Sequence, residues 1–320
     1  MGLSVIARAA LALAARERLS ILIFHRVLPV PDSLLPGEPS ADQFDALLRH
    51  LERRFTVLPL REGLARTLDR TLPARALAIT FDDGYADNVS IAAPLLRAHG
   101  MPATIFIATG YLDGGWMFND IVIEAFRSTP APEIDLGSLG LGRYKLESTK
   151  ERRVAIDHVL QELKYSPRRD ADAREILRLA QITLPASPML TREALRRVAG
   201  DGIDIGAHTV SHPILARVAD EHAWREIRDG KRELERLVER PVTLFAYPNG
   251  KPGQDYSEAH VRMVREAGFD GAVSTRWGAA TASSDRFQLP RFTPWTRSPW
   301  KFDLLMMRNL RGAFEGVPCG

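Results

Sequence analysis

The chain has 320 residues, 45% hydrophobic and 26% charged, with a net charge of only +3; this is an ordinary globular composition, enough for one large domain or two small ones. No run of eighteen apolar residues offers a transmembrane helix, and no block of Lys and Arg interleaved with aromatics points to a nucleic-acid partner, although the pI is about 9.1. The single cysteine, Cys319, excludes an intrachain disulfide.

The N-terminal stretch is apolar with an early Arg8 and reads as a helix over residues 1–18. A cleaved signal would leave no spacer before the core run that starts at Leu19. The segment is therefore expected to pack on the body or rest on a membrane surface, which places the protein in the cytoplasm with peripheral membrane contact left open. Ser20–Phe24 is an apolar run of strand type that ends in His25. After a Pro/Gly-rich loop from Pro29 to Pro39, Ser40 opens a helix with Gln43 as its capping-box partner, and Phe44, Leu47, Leu48 and Leu51 share one face. Strands are predicted over 55–58, 76–81 and 103–108, with helices over 61–69 and 87–99 between them. This alternation indicates an α/β architecture with a parallel sheet.

From about 113 to 190 the pattern breaks. A helix over 116–127, a short hairpin arm near 139–146 and two charged helices, opened by Ser148 with Glu151 and by Ser166-Pro167, read as a helical insertion. Alternation resumes with a helix over 191–199 and strands over 203–207, 242–246 and 271–274. Helices over 220–239, 256–266 and 298–310 accompany these strands. The main domain is thus expected to run over 19–320.

The chemistry clusters at strand ends. Leu77–Phe81 stops abruptly at Asp82-Asp83-Gly84. Neighbouring strand side chains point to opposite faces, so one aspartate can take a metal while the other leans toward a substrate, and Gly84 permits the turn with positive φ. His208 and His212 follow another strand at a spacing that puts both rings on one side of a helical turn. With a carboxylate they make a His, His, Asp set with open positions, the pattern of a catalytic zinc site. His25, Asp82-Asp83, His208 and Tyr247-Pro248 each come directly after a predicted strand, and parallel α/β barrels gather their active sites at the carboxyl ends of the strands. Tyr247 and Pro248 are read as a groove wall, and Arg291 as a residue that could orient a carboxylate. Trp116, Trp277, Trp295 and Trp300 could stack on sugars, although packing accounts for each more simply. His50, His99, His158, His222 and His260 are read as solvent-facing.

Thr80-Phe-Asp-Asp-Gly84, the His208/His212 pair and Phe245-Ala-Tyr-Pro248 together resemble the polysaccharide deacetylases with a NodB-homology domain (carbohydrate esterase family four), over most of residues 19–292. The resemblance implies a distorted (β/α) barrel of about seven strands, a divalent metal with zinc foremost, and an N-acetylated glycan as substrate. It makes Asp82 the general base and Asp83, His208 and His212 the metal ligands. The family's Leu-x-x-His segment is found here before the first motif, as Leu22-Ile-Phe-His25. That order is similar to the circularly permuted poly-N-acetylglucosamine deacetylases and gives His25 the role of catalytic acid. The arginine that many members place before the third motif is absent, and Arg291 is the expected substitute. The Tyr247 N–H is expected to serve the oxyanion.

The readings that compete are an amide hydrolase of the same barrel type acting on peptidoglycan or a small cyclic amide, and a catalytically silent carbohydrate-binding relative. A haloacid-dehalogenase-type phosphatase would need its two aspartates separated by one residue and would leave the histidines without a task.

Overall fold

The computed structural model describes residues 17–200, 202–293, 296 and 298–310. The expected helix over 1–18, with its membrane contact, and also Trp295 and Cys319, thus lie essentially outside the described residues. No helix among those described is long and apolar enough to cross a membrane.

Strands β1 (Ser20–Phe24), β2 (Thr56–Val57), β3 (Ala76–Phe81), β4 (Ala103–Ile107), β7 (Ile203–Ala207), β8 (Leu244–Ala246) and β9 (Gly271–Val273) form one sheet. A separate hairpin of β5 (Glu133–Asp135) and β6 (Arg143–Lys145) is antiparallel. The main sheet is parallel throughout and runs β1-β3-β4-β7-β8-β9, with β2 paired beside the start of β3. β1 and β3 are buried at every position, which is why they read as continuous apolar runs: both faces of a parallel sheet are covered. Its outer strands are then joined through one further segment. Leu289 bridges Val273 of β9, and Phe292 bridges Leu22 of β1, with the Phe292 amide donating to Ile21 O at 2.7 Å. The sheet therefore curls into the barrel-like form expected, and residues 289–292 act as a stave that completes the ring of β1, β3, β4, β7, β8 and β9, with β2 off that ring.

Helix α1 (Ala41–Glu52) starts at Ser40 with the capping box made by Gln43 and buries Phe44, Leu48 and Leu51 against the sheet. Helices α2 (Leu60–Leu68), α3 (Ala93–Ala98), α7 (Arg192–Val198), α8 (Asp220–Val238), α9 (Glu258–Glu266) and α10 (Pro299–Leu310) accompany the strands. The stretch expected as one helix over 87–99 opens instead with a wide π turn at Asn88–Ala92 before α3, a local widening often found beside functional sites. Between β4 and β7, helices α4 (Phe118–Ser128), α5 (Thr149–Leu163) and α6 (Arg169–Leu179) pack with the β5–β6 hairpin around an apolar cluster of their own, centred on Val122, Phe126, Ile156 and Ile176.

Candidate active site

The ladders deliver the predicted residues to one level. Phe24 is registered with Phe81, and the Asp82 amide donates to Phe24 O at 2.9 Å, so His25 and Asp82 leave adjacent strands side by side. The His208 amide donates to Ile107 O at 3.0 Å, and Asp83 O receives the Ala108 amide at 3.3 Å, which brings the ends of β3, β4 and β7 together.

Asp82 and Asp83 divide as neighbours should, but not by strand alternation alone. Asp83 lies two residues past the strand with φ of 75°, followed by Gly84 at 89°. A left-handed aspartate carries backbone strain, and here the twist turns its carboxylate back toward the histidines. Asp83 Oδ1 stands 3.4 Å from His208 Nε2 and 3.5 Å from His212 Nε2. Zinc–nitrogen bonds of about 2.0–2.1 Å at tetrahedral angles separate ligand atoms by about 3.3 Å. One ligand atom from each of the three residues lies within 4.8 Å of the others, so the group fits a divalent ion.

The proton positions on the histidines agree with that use. His208 Nδ1 lies 2.7 Å from the Ala246 carbonyl; a carbonyl can only accept, so Nδ1 carries the hydrogen and Nε2 presents its lone pair. Burial pulls the His212 pKa down to about 3, against the opposing charge of Asp83, which keeps the ring neutral and able to ligate. Burial pushes the Asp83 carboxyl up, but the histidines around it, His208 foremost, outweigh this and hold it far below the ordinary carboxylate range.

The helical turn expected at 208–212 is not there. The segment is a loop in which Thr209 (φ 68°) and His212 (φ 53°) take left-handed conformations, and the two rings meet with centroids 4.7 Å apart. Its support comes from residues that carry no signal in the sequence. Glu226, buried on α8, accepts the Val210 and Ser211 amides at 2.9 and 2.8 Å and the Ser211 hydroxyl at 2.7 Å. Arg169 of α6 donates to His212 O at 2.7 Å.

Asp82 faces Arg291. The fully buried guanidinium makes a parallel fork, Nη1 to Oδ1 and Nη2 to Oδ2, both at 2.7 Å, while Nε donates to Ser274 O at 2.9 Å. Burial pushes the Asp82 carboxyl up, but Arg291, with His208, outweighs it and holds the carboxyl below its ordinary value. Arg291 thus pairs with the aspartate expected of it, across a sequence separation of 209 residues.

His25 stands solvent-exposed at the end of β1, with Asn88 donating to its carbonyl at 2.8 Å. Burial of part of the ring pushes its pKa down, but Asp83, Glu38 and Asp82 together raise it above the ordinary histidine value. Glu38 also accepts the Arg26 amide at 3.0 Å, and Arg26 is pinned to Asp87 at 2.8 Å over the Tyr85 ring. Behind this lies Asp120, which accepts from the Tyr85 hydroxyl at 3.1 Å and is raised to about 7 by burial and the charge of Asp83.

Several expectations are corrected. The Tyr247 amide is not free for an oxyanion, because it donates to Val273 O at 3.2 Å in the β8–β9 ladder. The Tyr247 ring is wholly buried and stacked on Tyr256 at 3.8 Å, so it belongs to the core and not to a groove wall. Pro248 is buried as well and heads the turn through Asn249 and Gly250. Three of the five histidines read as solvent-facing are not: His50 and His99 are half-buried against Asp303 and Asp45 at 2.8 Å, and His260 is buried as the capping partner of Ser257. Trp277 packs on Phe292, Trp116 on the cluster of the inserted helices, and Trp300 is exposed.

The sequence profile of the polysaccharide deacetylases matches residues 69–272, more than half of the chain. The chain belongs to the polysaccharide deacetylase family. It is 22% identical over 276 residues to YxkH, a Bacillus subtilis protein assigned to the polysaccharide deacetylases, over 86% of this chain and 70% of that protein. Its fold is similar to that of the Streptococcus pyogenes deacetylase PplD in complex with acetate, with a TM-score of 0.60 and 18% identity over 90% of this chain and 98% of that one. It is similar also to IcaB from Ammonifex degensii, with a TM-score of 0.60 and 16% identity over 91% and 97%. Thr80–Gly84 and His208–His212 both fall within the matched region.

Proposed function

We propose that this protein removes N-acetyl groups from an N-acetylhexosamine-containing polysaccharide or its precursor, releasing acetate. The observation that supports this most is the separate partnering of two adjacent aspartates: Asp83 with His208 and His212, Asp82 with Arg291. Asp83, His208 and His212 would hold a divalent ion, with zinc favoured by the two imidazoles, and when bound it would supply a Lewis acid for the amide carbonyl and bring the pKa of water toward about 7. Asp82, kept ionised by Arg291, takes the proton of the water that attacks the carbonyl carbon. His25, raised in pKa by the surrounding carboxylates, is protonated and donates to the amine nitrogen as the C–N bond breaks. Arg291 fixes the plane of the Asp82 carboxylate, because a bidentate guanidinium pair is geometrically specific.

The test is acetate release from N-acetylglucosamine oligomers and peptidoglycan fragments, alongside elemental analysis of the purified protein. The expected result is about one zinc per chain and acetate formation that chelation abolishes and zinc restores. A metal-loaded protein that releases no acetate from any N-acetylated glycan, yet binds one, would leave the silent carbohydrate-binding reading in its place.

A further inference from the structure

A cleft of about 550 Å³ opens beside His25 and is used by none of the chemistry above. One wall is the loop 28–35; the other is a single face of α4 together with Trp116, two residues before it, where Trp116, Asp120, Ile123, Glu124 and Arg127 recur at helical spacing. Its inner end is formed by Arg26, the residue after His25, and by Asp120, which is bonded to Tyr85 two residues past Asp83. The cleft therefore lies against residues that flank His25 and Asp83. Its walls are tied together: Arg127 donates to Asp32 across the gap at 2.7 Å and reaches Glu124 at 3.3 Å. Its floor is tied to the site, since the Ala86 amide donates to Pro188 O at 2.8 Å.

The lining selects the occupant. The two guanidiniums are already matched, Arg26 by Asp87 and Arg127 by Asp32 and Glu124, so the cleft holds no uncompensated cation for a phosphate. The walls are mixed, with Leu28, Val30, Leu35 and Ile123 set among three carboxylates and two guanidiniums, and an acyl chain would leave those ions desolvated against it. A neutral ring rich in hydroxyls suits paired ions with spare lone pairs and N–H groups, together with the half-buried Trp116 as an apolar, amphipathic surface. The volume falls in the range of about 300–1,000 Å³ typical of small-ligand sites, which is room for a sugar unit or two. We infer that this cleft holds the sugar next to the one being deacetylated, with Trp116 against its ring and the Asp32–Arg127–Glu124 chain on its hydroxyls. The inference rests on the deacetylase reading and assigns the inserted helix α4 a direct part in choosing polymer over monosaccharide.

The experiment compares kcat/KM for N-acetylglucosamine with that for its β-1,4- and β-1,6-linked pentamers. It uses wild type, Trp116→Ala and Ser33→Trp, the last filling the cleft from an exposed rim position without touching a core. Pentamer binding is measured in parallel by calorimetry in an Asp82→Asn background. Wild type is expected to favour a pentamer, and each cleft variant to lose about tenfold in pentamer kcat/KM through KM, the size of one lost aromatic contact, with unchanged zinc content in both and, for Ser33→Trp, an unchanged melting temperature. Wild type without chain-length preference, or variants that retain it together with pentamer affinity, would overturn the inference while leaving the deacetylase reading intact. Pentamer binding that depends on Trp116 and Ser33 in a protein releasing no acetate would do the reverse.

Discussion

Arg291 offers the most direct test of the site's electrostatics. Arg291→Met keeps the bulk of the side chain but leaves the Asp82 carboxylate, 3% exposed, without its fork. Removing one partner of a buried ion pair costs about 3–5 kcal/mol, because the remaining charge has lost both water and counter-ion. With a urea dependence of about 3 kcal/mol per molar, the unfolding midpoint should fall by about 1–1.7 M. The pH dependence identifies the cause. In wild type the Asp82 pKa is depressed, so its contribution is present above the ordinary carboxylate pKa of about 3.9 and lost as pH falls through the folded value. In the variant, burial acts with much less opposition and raises the folded pKa, so the cost is absent at low pH and grows as pH rises through that value. The gap between the two proteins should therefore be widest near neutral pH and narrow toward pH about 4. Urea titrations at pH 4.5, 6 and 7.5 on chelator-treated protein measure it. Asp82→Asn/Arg291→Met, which removes both charges, should recover most of the loss. A gap independent of pH, or a double variant no more stable than Arg291→Met, would refute the reasoning.

Asp82→Asn should retain zinc and lose turnover by at least about 100-fold, the scale of a general base, whereas Asp83→Ala and His208→Ala should lose zinc as well; elemental analysis with acetate assays separates the two classes. Glu38→Gln removes one of the charges that raise the His25 pKa. Because a catalytic acid must be protonated, the alkaline limb of kcat/KM should then move to lower pH, and an unmoved limb would take the acid role from His25. Gly230→Ala, which in an exposed helix would stabilise by about 0.5–1 kcal/mol, should instead weaken zinc binding: a Cβ there would lie 3.0 Å from the Thr209 carbonyl, inside the loop that carries both histidines. Competition with a chelator reports the change.

What could be read from the sequence follows from how local each cause is. Strand runs, capping boxes at Ser40 and Ser148 and the polar ends of β1, β3 and β7 are set by neighbours in the chain, and all stand where the residues placed them. The His208/His212 pair was legible for an imperfect reason, since spacing brought the rings together but two left-handed residues, not a helical turn, do so in space. Glu226 and Arg169 could not be found, being ordinary charges on charged helices until the 208–212 loop folds back on them. Tyr247 failed because a residue just past a strand still spends its amide on the neighbouring ladder when that neighbour runs level with it.

Arg291 shows the same limit from the other side. Its position near an element edge was visible, but its partner was fixed only when Leu289 met β9 and Phe292 met β1. Those two bridges turn an open sheet into a closed one and set the stave between them against β1, whose other neighbour is β3. A side chain on that stave can reach inward to the end of β3, and Thr80 and Asp82 both contact Arg291 there. Closure of the barrel and ionisation of the proposed base are thus one structural event. A substitution that loosens the 289–292 stave, such as Phe292→Ala, should for that reason lower turnover as well as stability, although Phe292 itself touches no reacting group.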